Sequence, residues 1–186
     1  MTVEMIKLAI FIVLSIVFVY LSRKSILIAG SHGFYRFFAA EAIIALVLSN
    51  VDVWFTDPLS LRQIASWLLL FGSLVVMGIG FLRIRHASKP GERRSDATLL
   101  EFEKTTSLVT TGIYTYLRHP MYTSLLYVAW GVFLKEITAS TVCLVIAATW
   151  FLNETAKADE AECIQYFGEA YKQYMTRTKR FIPFIY

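Results

Sequence analysis

Residues 64–82 run for 19 positions without a charged side chain. About 20 apolar residues in a helix are what the hydrocarbon layer of a bilayer demands, so this stretch reads as a membrane span. Four further apolar blocks accompany it, at residues 5–21, 37–51, 121–134 and 137–152. Glu41 interrupts the second, and only Lys135 and Glu136 separate the last two. Those two are short for a full crossing, and periodicity alone would also allow a pair of buried core helices. Composition decides the matter. Hydrophobic side chains make up 56% of the chain and charged ones 17%, against about 25% charged in a soluble domain. Too little polar sequence remains to cover five such blocks in water. The expectation is an all-α polytopic membrane protein with about five transmembrane helices, blocks four and five forming a tight hairpin.

Lysine and arginine set the orientation. Arg23 and Lys24 follow the first block, and Arg83, Arg85, Lys89, Arg93, Arg94 and Lys104 follow the third. Lys157, Lys172, Arg177, Lys179 and Arg180 follow the fifth, whereas Asp52 and Asp57 occupy the link between blocks two and three. An outside N-terminus places every basic segment in the cytoplasm, as the positive-inside rule requires. The polar stretches 83–111 and 153–186 then both face the cytoplasm. The second reads as a helix with Ile164, Phe167, Tyr171 and Tyr174 on one face, followed by an aromatic tail. The chain is expected to be one membrane domain over 1–186. Its parts are three spans (1–82), a cytoplasmic linker and loop (83–120), a helical hairpin (121–152) and a cytoplasmic helix and tail (153–186).

Several classes are excluded. The N-terminal block lacks a cationic cluster before it and a small-residue cleavage site after it, so it reads as a retained span. Cys143 and Cys163 have no ligand spacing around them and read as small buried packing residues; no metal site is expected. Nucleic-acid binding is not expected either, because the basic residues follow membrane exits and interleave with Glu92, Asp96, Glu101 and Glu103. Gly78 and Gly80 lie within a span without a preceding strand, which points to helix packing rather than dinucleotide binding.

The most informative stretch is Leu108-Val109-Thr110-Thr111-Gly112-Ile113-Tyr114-Thr115-Tyr116-Leu117-Arg118-His119-Pro120-Met121-Tyr122. Gly112 suggests a tight turn or a close backbone approach. Pro120 suits the first turn of the fourth helix, where its missing N–H costs nothing. Arg118 and His119 then stand at the membrane boundary just before that helix. Interfacial anchoring accounts for an arginine there, but poorly for the packed Gly-Tyr-Arg-His-Pro-Tyr order.

The order Leu108-Val109-x-x-Gly112-x-Tyr114-x-x-x-Arg118-His119-Pro120-x-Tyr122 resembles the signature of the isoprenylcysteine carboxyl methyltransferase superfamily, which includes phospholipid N-methyltransferases. A second element is similar to that family's acidic pair, tyrosine helix and terminal R-x-x-P: Asp159-Glu160, Phe167-Gly168-x-x-Tyr171-x-x-Tyr174, and Arg180-Phe181-Ile182-Pro183. The resemblance covers about residues 105–183. It departs at Asp159, where the family usually carries Glu. It implies an integral membrane enzyme that transfers methyl from S-adenosylmethionine, with the Arg-His-Pro block and the acidic pair lining a cytosol-facing cofactor pocket. The lipid bilayer would deliver the lipophilic methyl acceptor.

The cofactor's chemistry matches these residue types. Its ammonium and ribose hydroxyls call for acceptors, which Asp159 and Glu160 supply, and its carboxylate calls for donors, which Arg118 and His119 supply. Tyr114, Tyr122 and the Leu108-Val109 backbone are placed to flank adenine. A carboxylate acceptor needs holding and partial desolvation, by Arg180 or Arg118; an amine acceptor must lose a proton, to Glu160 or His119. Glu160 and Arg180 are therefore the expected catalytic pair. Methyl esterification of a prenylated cysteine or comparable acid leads, ahead of N-methylation of an ethanolamine phospholipid and S-methylation of a small hydrophobic thiol. A non-enzymatic scaffold or transporter subunit is the reading of another class, in which Glu41 and the basic loop would carry the function. Glu41, with Arg36 five residues earlier, marks either a substrate entrance or a plain intramembrane pairing. The segment 83–94 could meet anionic headgroups, while His32 and His86 receive no role. Oligomeric state stays open.

Overall fold

The computed structural model describes residues 2–87 and 106–185; the basic linker 89–94 lies outside the described residues. Every regular element described is helical: α1 (Val3–Ile26), α2 (His32–Asn50), α3 (Leu61–Ala87), α4 (Pro120–Phe133), α5 (Ala139–Phe167) and α6 (Glu169–Arg177). Short 3-10 turns occupy Val51–Val53 and Gly112–Thr115. Four of these helices are long and apolar enough to cross a membrane: α1, α2 with its 3-10 extension, α3 and α5. The protein is an integral membrane protein of the all-α class.

α4 differs from its expected neighbour-like span. Its 14 residues rise only about 21 Å at ~1.5 Å per residue, less than the ~30 Å hydrocarbon layer. Short as it is, it sits at the centre, packed on α2, α3 and α5. A helix end leaves carbonyls without intrahelical donors, and at membrane depth no water satisfies them. Side chains from the neighbours do so here. Ser66 Oγ donates to the Gly131 carbonyl at 2.7 Å, Asn50 Nδ2 to Val132 at 2.8 Å, and an Arg62 guanidinium N–H to Lys135. Close approach of α3 needs glycine on α4: a Cβ on Gly131 would stand 3.0 Å from Leu70 Cγ. Likewise a Cβ on Gly80 of α3 would meet Pro120 and Met121 at 3.4 Å, which accords with a packing role for that glycine.

Lys135, in the link between α4 and α5, is fully buried. Its ammonium stands 3.6 Å from the centroid of the Trp67 ring and donates to Gln63 Oε1 at 2.9 Å. An aromatic face and an amide take the place of a carboxylate. α1 packs on α2 and exposes most of its length. Ser15 Oγ donates to Glu41 Oε2 at 2.6 Å halfway along both helices, while Glu41 Oε1 is buried without a hydrogen-bond partner.

Two expectations are corrected. α5 continues as one helix to Phe167, through the polar residues 153–162 that read as the start of a separate cytoplasmic helix. The break falls at Gly168 (φ 60°), where a side chain would be strained, so Ile164 and Phe167 belong to α5 while Tyr171 and Tyr174 belong to α6. Cys143 is exposed on α5 and Cys163 only partly covered; neither is the buried packing residue expected.

Candidate active site

The loop before α4 and the segment after α6 meet in a short parallel pairing between Leu117 and Lys179. Arg118 N–H donates to the Lys179 carbonyl at 2.8 Å, His119 N–H to Arg180 at 3.3 Å, and Lys179 N–H to Tyr116 at 3.0 Å. Tyr174 on α6 adds a side-chain tie, donating its hydroxyl proton to the Tyr114 carbonyl at 2.7 Å. Gly112 opens the 3-10 turn at φ 67°, and a Cβ there would come within 2.6 Å of Arg83 Nε, so both reasons foreseen for a glycine hold. Pro120 takes the first position of α4, and His119 is the residue before it.

This construction brings Arg118 and His119 against the last turns of α5. Arg118 Nε donates to Glu160 Oε1 at 2.8 Å; Arg180 donates to the same oxygen at 3.1 Å and to Oε2 at 2.6 Å. A second guanidinium nitrogen of Arg118 reaches the carbonyls of Met175 and Thr178 at the end of α6. The Glu160 side chain is 6% exposed, so one buried carboxylate ties loop, α5 and tail together. His119 lies between both acids, with Nδ1 3.4 Å from Asp159 Oδ2 and Nε2 3.4 Å from Glu160 Oε1. The latter contact lacks hydrogen-bond geometry, leaving a buried Nε2 without a partner. Burial works against the imidazolium, but the two facing carboxylates, Asp159 and Glu160, prevail, and the His119 pKa rises above its ordinary 6.5. Burial also raises the phenol pKa values of Tyr171 and Tyr174, which keeps both hydroxyls protonated.

Beside this cluster is an open pocket enclosing about 750 Å³ of empty space, its mouth included. Of the residues singled out from the sequence, Leu108, Val109, Tyr114, Arg118, His119, Pro120, Tyr122 and Asp159 line it. Gly112, Glu160 and Arg180 do not. Gly112 shapes the loop, while Glu160 and Arg180, the expected catalytic pair, meet each other behind the wall. Tyr122 stacks on the His119 ring at 5.3 Å between centroids. The pocket therefore has a charged side, Arg118-His119-Asp159, and an aromatic and apolar side to which Ile84, Phe167, Tyr171 and Tyr174 also contribute.

Residue reading missed three contributors. Cys163 lines the pocket and its thiol donates to Asp159 Oδ1 at 3.6 Å. Asn153 accepts from Arg180 at 3.2 Å. His32, left without a role, is fully buried and held by Glu162. Helical spacing from Asp159 was the available signal for Cys163; nothing local pointed to His32, 130 residues from its partner.

Fold and pocket together define a polytopic membrane protein with an ion-paired pocket at one end of its helices. The family model described as phospholipid methyltransferase matches residues 67–165. That is more than half of the chain, and the chain belongs to this family. It is also similar to curated proteins named protein-S-isoprenylcysteine O-methyltransferase. The Xenopus laevis protein is 30% identical over 128 residues, covering 67% of this chain and 43% of the relative. The Mus musculus protein is 31% identical over 128 residues (67% and 44%), and the Schizosaccharomyces pombe protein 30% over 106 residues (56% and 45%). The chain spans less than half the length of these relatives.

Proposed function

We propose that this chain is an S-adenosylmethionine-dependent methyltransferase that esterifies the carboxylate of a prenylated cysteine or a comparable lipophilic acid. The observation that carries the reading is the pocket wall in which Arg118, His119 and Asp159 stand beside a tyrosine-rich surface, with His119 against Asp159. Both a donor pair and an acceptor are offered to a zwitterionic, partly aromatic ligand. Family membership and the names of the relatives support the same chemistry.

When bound, S-adenosylmethionine supplies a methyl group already activated on a sulfonium. The chain's own residues have the tasks of alignment and water exclusion. Asp159 accepts from the ligand's ammonium or ribose hydroxyls. Arg118 and His119 donate to its carboxylate, and Tyr114, Tyr122 and the 108–109 backbone flank adenine. Glu160 and Arg180 serve the reaction by fixing Arg118 and the tail. We further propose the five-helix arrangement with the N-terminus outside, α4 counting as the short fifth crossing, and the pocket cytoplasmic. The whole chain then acts as one membrane domain.

The description of the matched family favours a second reading, N-methylation of an ethanolamine phospholipid. That amine must lose a proton, and a neutral His119 is the group at hand. Titration of the detergent-purified protein with S-adenosylhomocysteine tests the cofactor assignment: binding that is lost in Arg118→Ala is expected. No binding at millimolar ligand overturns it and leaves a scaffold or transporter subunit. Transfer of radiolabelled methyl into prenylcysteine analogues, phosphatidylethanolamine or simple thiols then separates the acceptors.

A further inference from the structure

We propose that His32 is a positioning residue, acting through Glu162 to set the face that α5 turns toward the pocket. The inference rests on the reading of that pocket as a methyl-donor site. His32 opens α2, outside the segment 67–165 that the family model matches, and its side chain is fully buried. It grips Glu162 at two points. The backbone N–H donates to Oε1 at 3.1 Å and the ring Nδ1 meets Oε2 at 2.7 Å. Two bonds to the two oxygens of one carboxylate fix its plane, where a single bond would leave it free to pivot.

The turn that presents His32 is itself built to hold still. Ser31 accepts from Phe34 N–H at 3.1 Å, which caps α2, and its hydroxyl donates back to the Ser25 carbonyl at 3.3 Å. Ser25, Ser31, His32 and Gly33 are all buried. Glu162 therefore meets a rigid partner contributed by a distant part of the chain.

Glu162 shares the last turns of α5 with the site. Asp159 precedes it by three residues and Cys163 follows it directly, and both line the pocket. Side chains of one helical turn rotate together. A side-chain atom lies about 5–6 Å from the helix axis, so a twist of about 20° carries it about 2 Å. Such a shift takes Asp159 Oδ2 out of its 3.4 Å contact with His119. The His32–Glu162 grip opposes that rotation, and it gives the N-terminal helices a direct mechanical share in the pocket.

The test uses the full chain in detergent with Cys143→Ser as background, which leaves Cys163 as its remaining thiol. His32→Leu fills the volume without a ring donor, His32→Asn keeps an N–H near the place of Nδ1, and Glu162→Ala removes the grip from the other side. Two readouts are taken: affinity for S-adenosylhomocysteine and the rate of Cys163 alkylation by N-ethylmaleimide without ligand. His32→Leu and Glu162→Ala are expected to weaken binding at least tenfold and speed alkylation at least fivefold. His32→Asn stays within threefold of the parent on both. Asparagine and leucine variants that shift together, or a leucine variant that shifts neither readout, overturn the proposal. If His32→Leu does not fold, Glu162→Ala against His32→Asn gives the same decision. A parent that binds no S-adenosylhomocysteine but keeps the alkylation pattern sinks the methyl-donor reading and leaves the grip standing. A parent that binds, with all variants equal to it, does the reverse.

Discussion

Replacing Glu160 with glutamine tests how the site is held together. The carboxylate accepts three hydrogen bonds, from Arg118 at 2.8 Å and from Arg180 at 3.1 and 2.6 Å, at 6% exposure. Glutamine has nearly the same shape but exchanges one acceptor oxygen for an NH2 group that faces a guanidinium N–H. Two cations are left without the anion between them. Breaking a buried ion pair from one side costs about 3–5 kcal/mol; the retained amide oxygen argues for the lower end, about 3 kcal/mol. At ~2–4 °C per kcal/mol for a chain of this size, the thermal midpoint falls by about 6–12 °C. Arg180→Ala leaves Arg118 on the carboxylate and removes charged hydrogen bonds worth about 1.5–3 kcal/mol each. The double variant should fall short of the sum by about 1–3 kcal/mol, since the residues share one network. Differential scanning fluorimetry of the detergent-solubilised protein measures all three. A midpoint for Glu160→Gln within about 2 °C of the parent (under ~1 kcal/mol) would refute the reasoning, because it would mean that the two guanidiniums do not depend on this anion.

Three other outcomes follow from the geometry. Because His119 has a pKa raised above 6.5, its protonated form contributes stability that is complete below 6.5 and is lost as pH rises through the raised value. The thermal midpoint should therefore fall over that interval, and His119→Gln should flatten the profile in a pH series of melts. Gly112→Ala forces a Cβ into φ 67°, costing about 1–2 kcal/mol, and should lower the midpoint by roughly 2–8 °C while weakening S-adenosylhomocysteine binding. Lys135→Ala strips the amine from Trp67 and Gln63. It should cost about 1–3 kcal/mol for the unpaired amide yet leave ligand affinity within about twofold, since Lys135 lies at the other end of α4 from the pocket; titration alongside melting checks both.

Hydropathy was a good guide to α1, α2 and α3, because burial in lipid acts on each helix separately. The Arg-His-Pro turn and the acidic pair were legible too, since their roles depend on local order: Pro120 begins a helix wherever it folds. Other features depend on partners far along the chain. Polar residues from Asn153 to Glu162 suggested the start of a separate helix, but the α5 backbone bonds itself regardless of side-chain polarity, and Glu160 and Glu162 turn into protein contacts. The burial of Lys135 rests on α3, which folds against it and supplies Trp67 and Gln63. Glu162 and His32 carry no mutual signal at all until α2 and α5 pack. The catalytic emphasis on Glu160 came from its place in a motif, and its distance from the cavity wall depends on where Arg180 returns.

The pairing of Leu117 with Lys179 is made of main-chain groups. Peptide groups are alike at every residue but proline, so the strap is blind to most substitution. Position 179 can drift through evolution, or accept a label or unnatural side chain in the laboratory, without loosening the seam. Proline alone is barred, for want of the proton that Tyr116 receives.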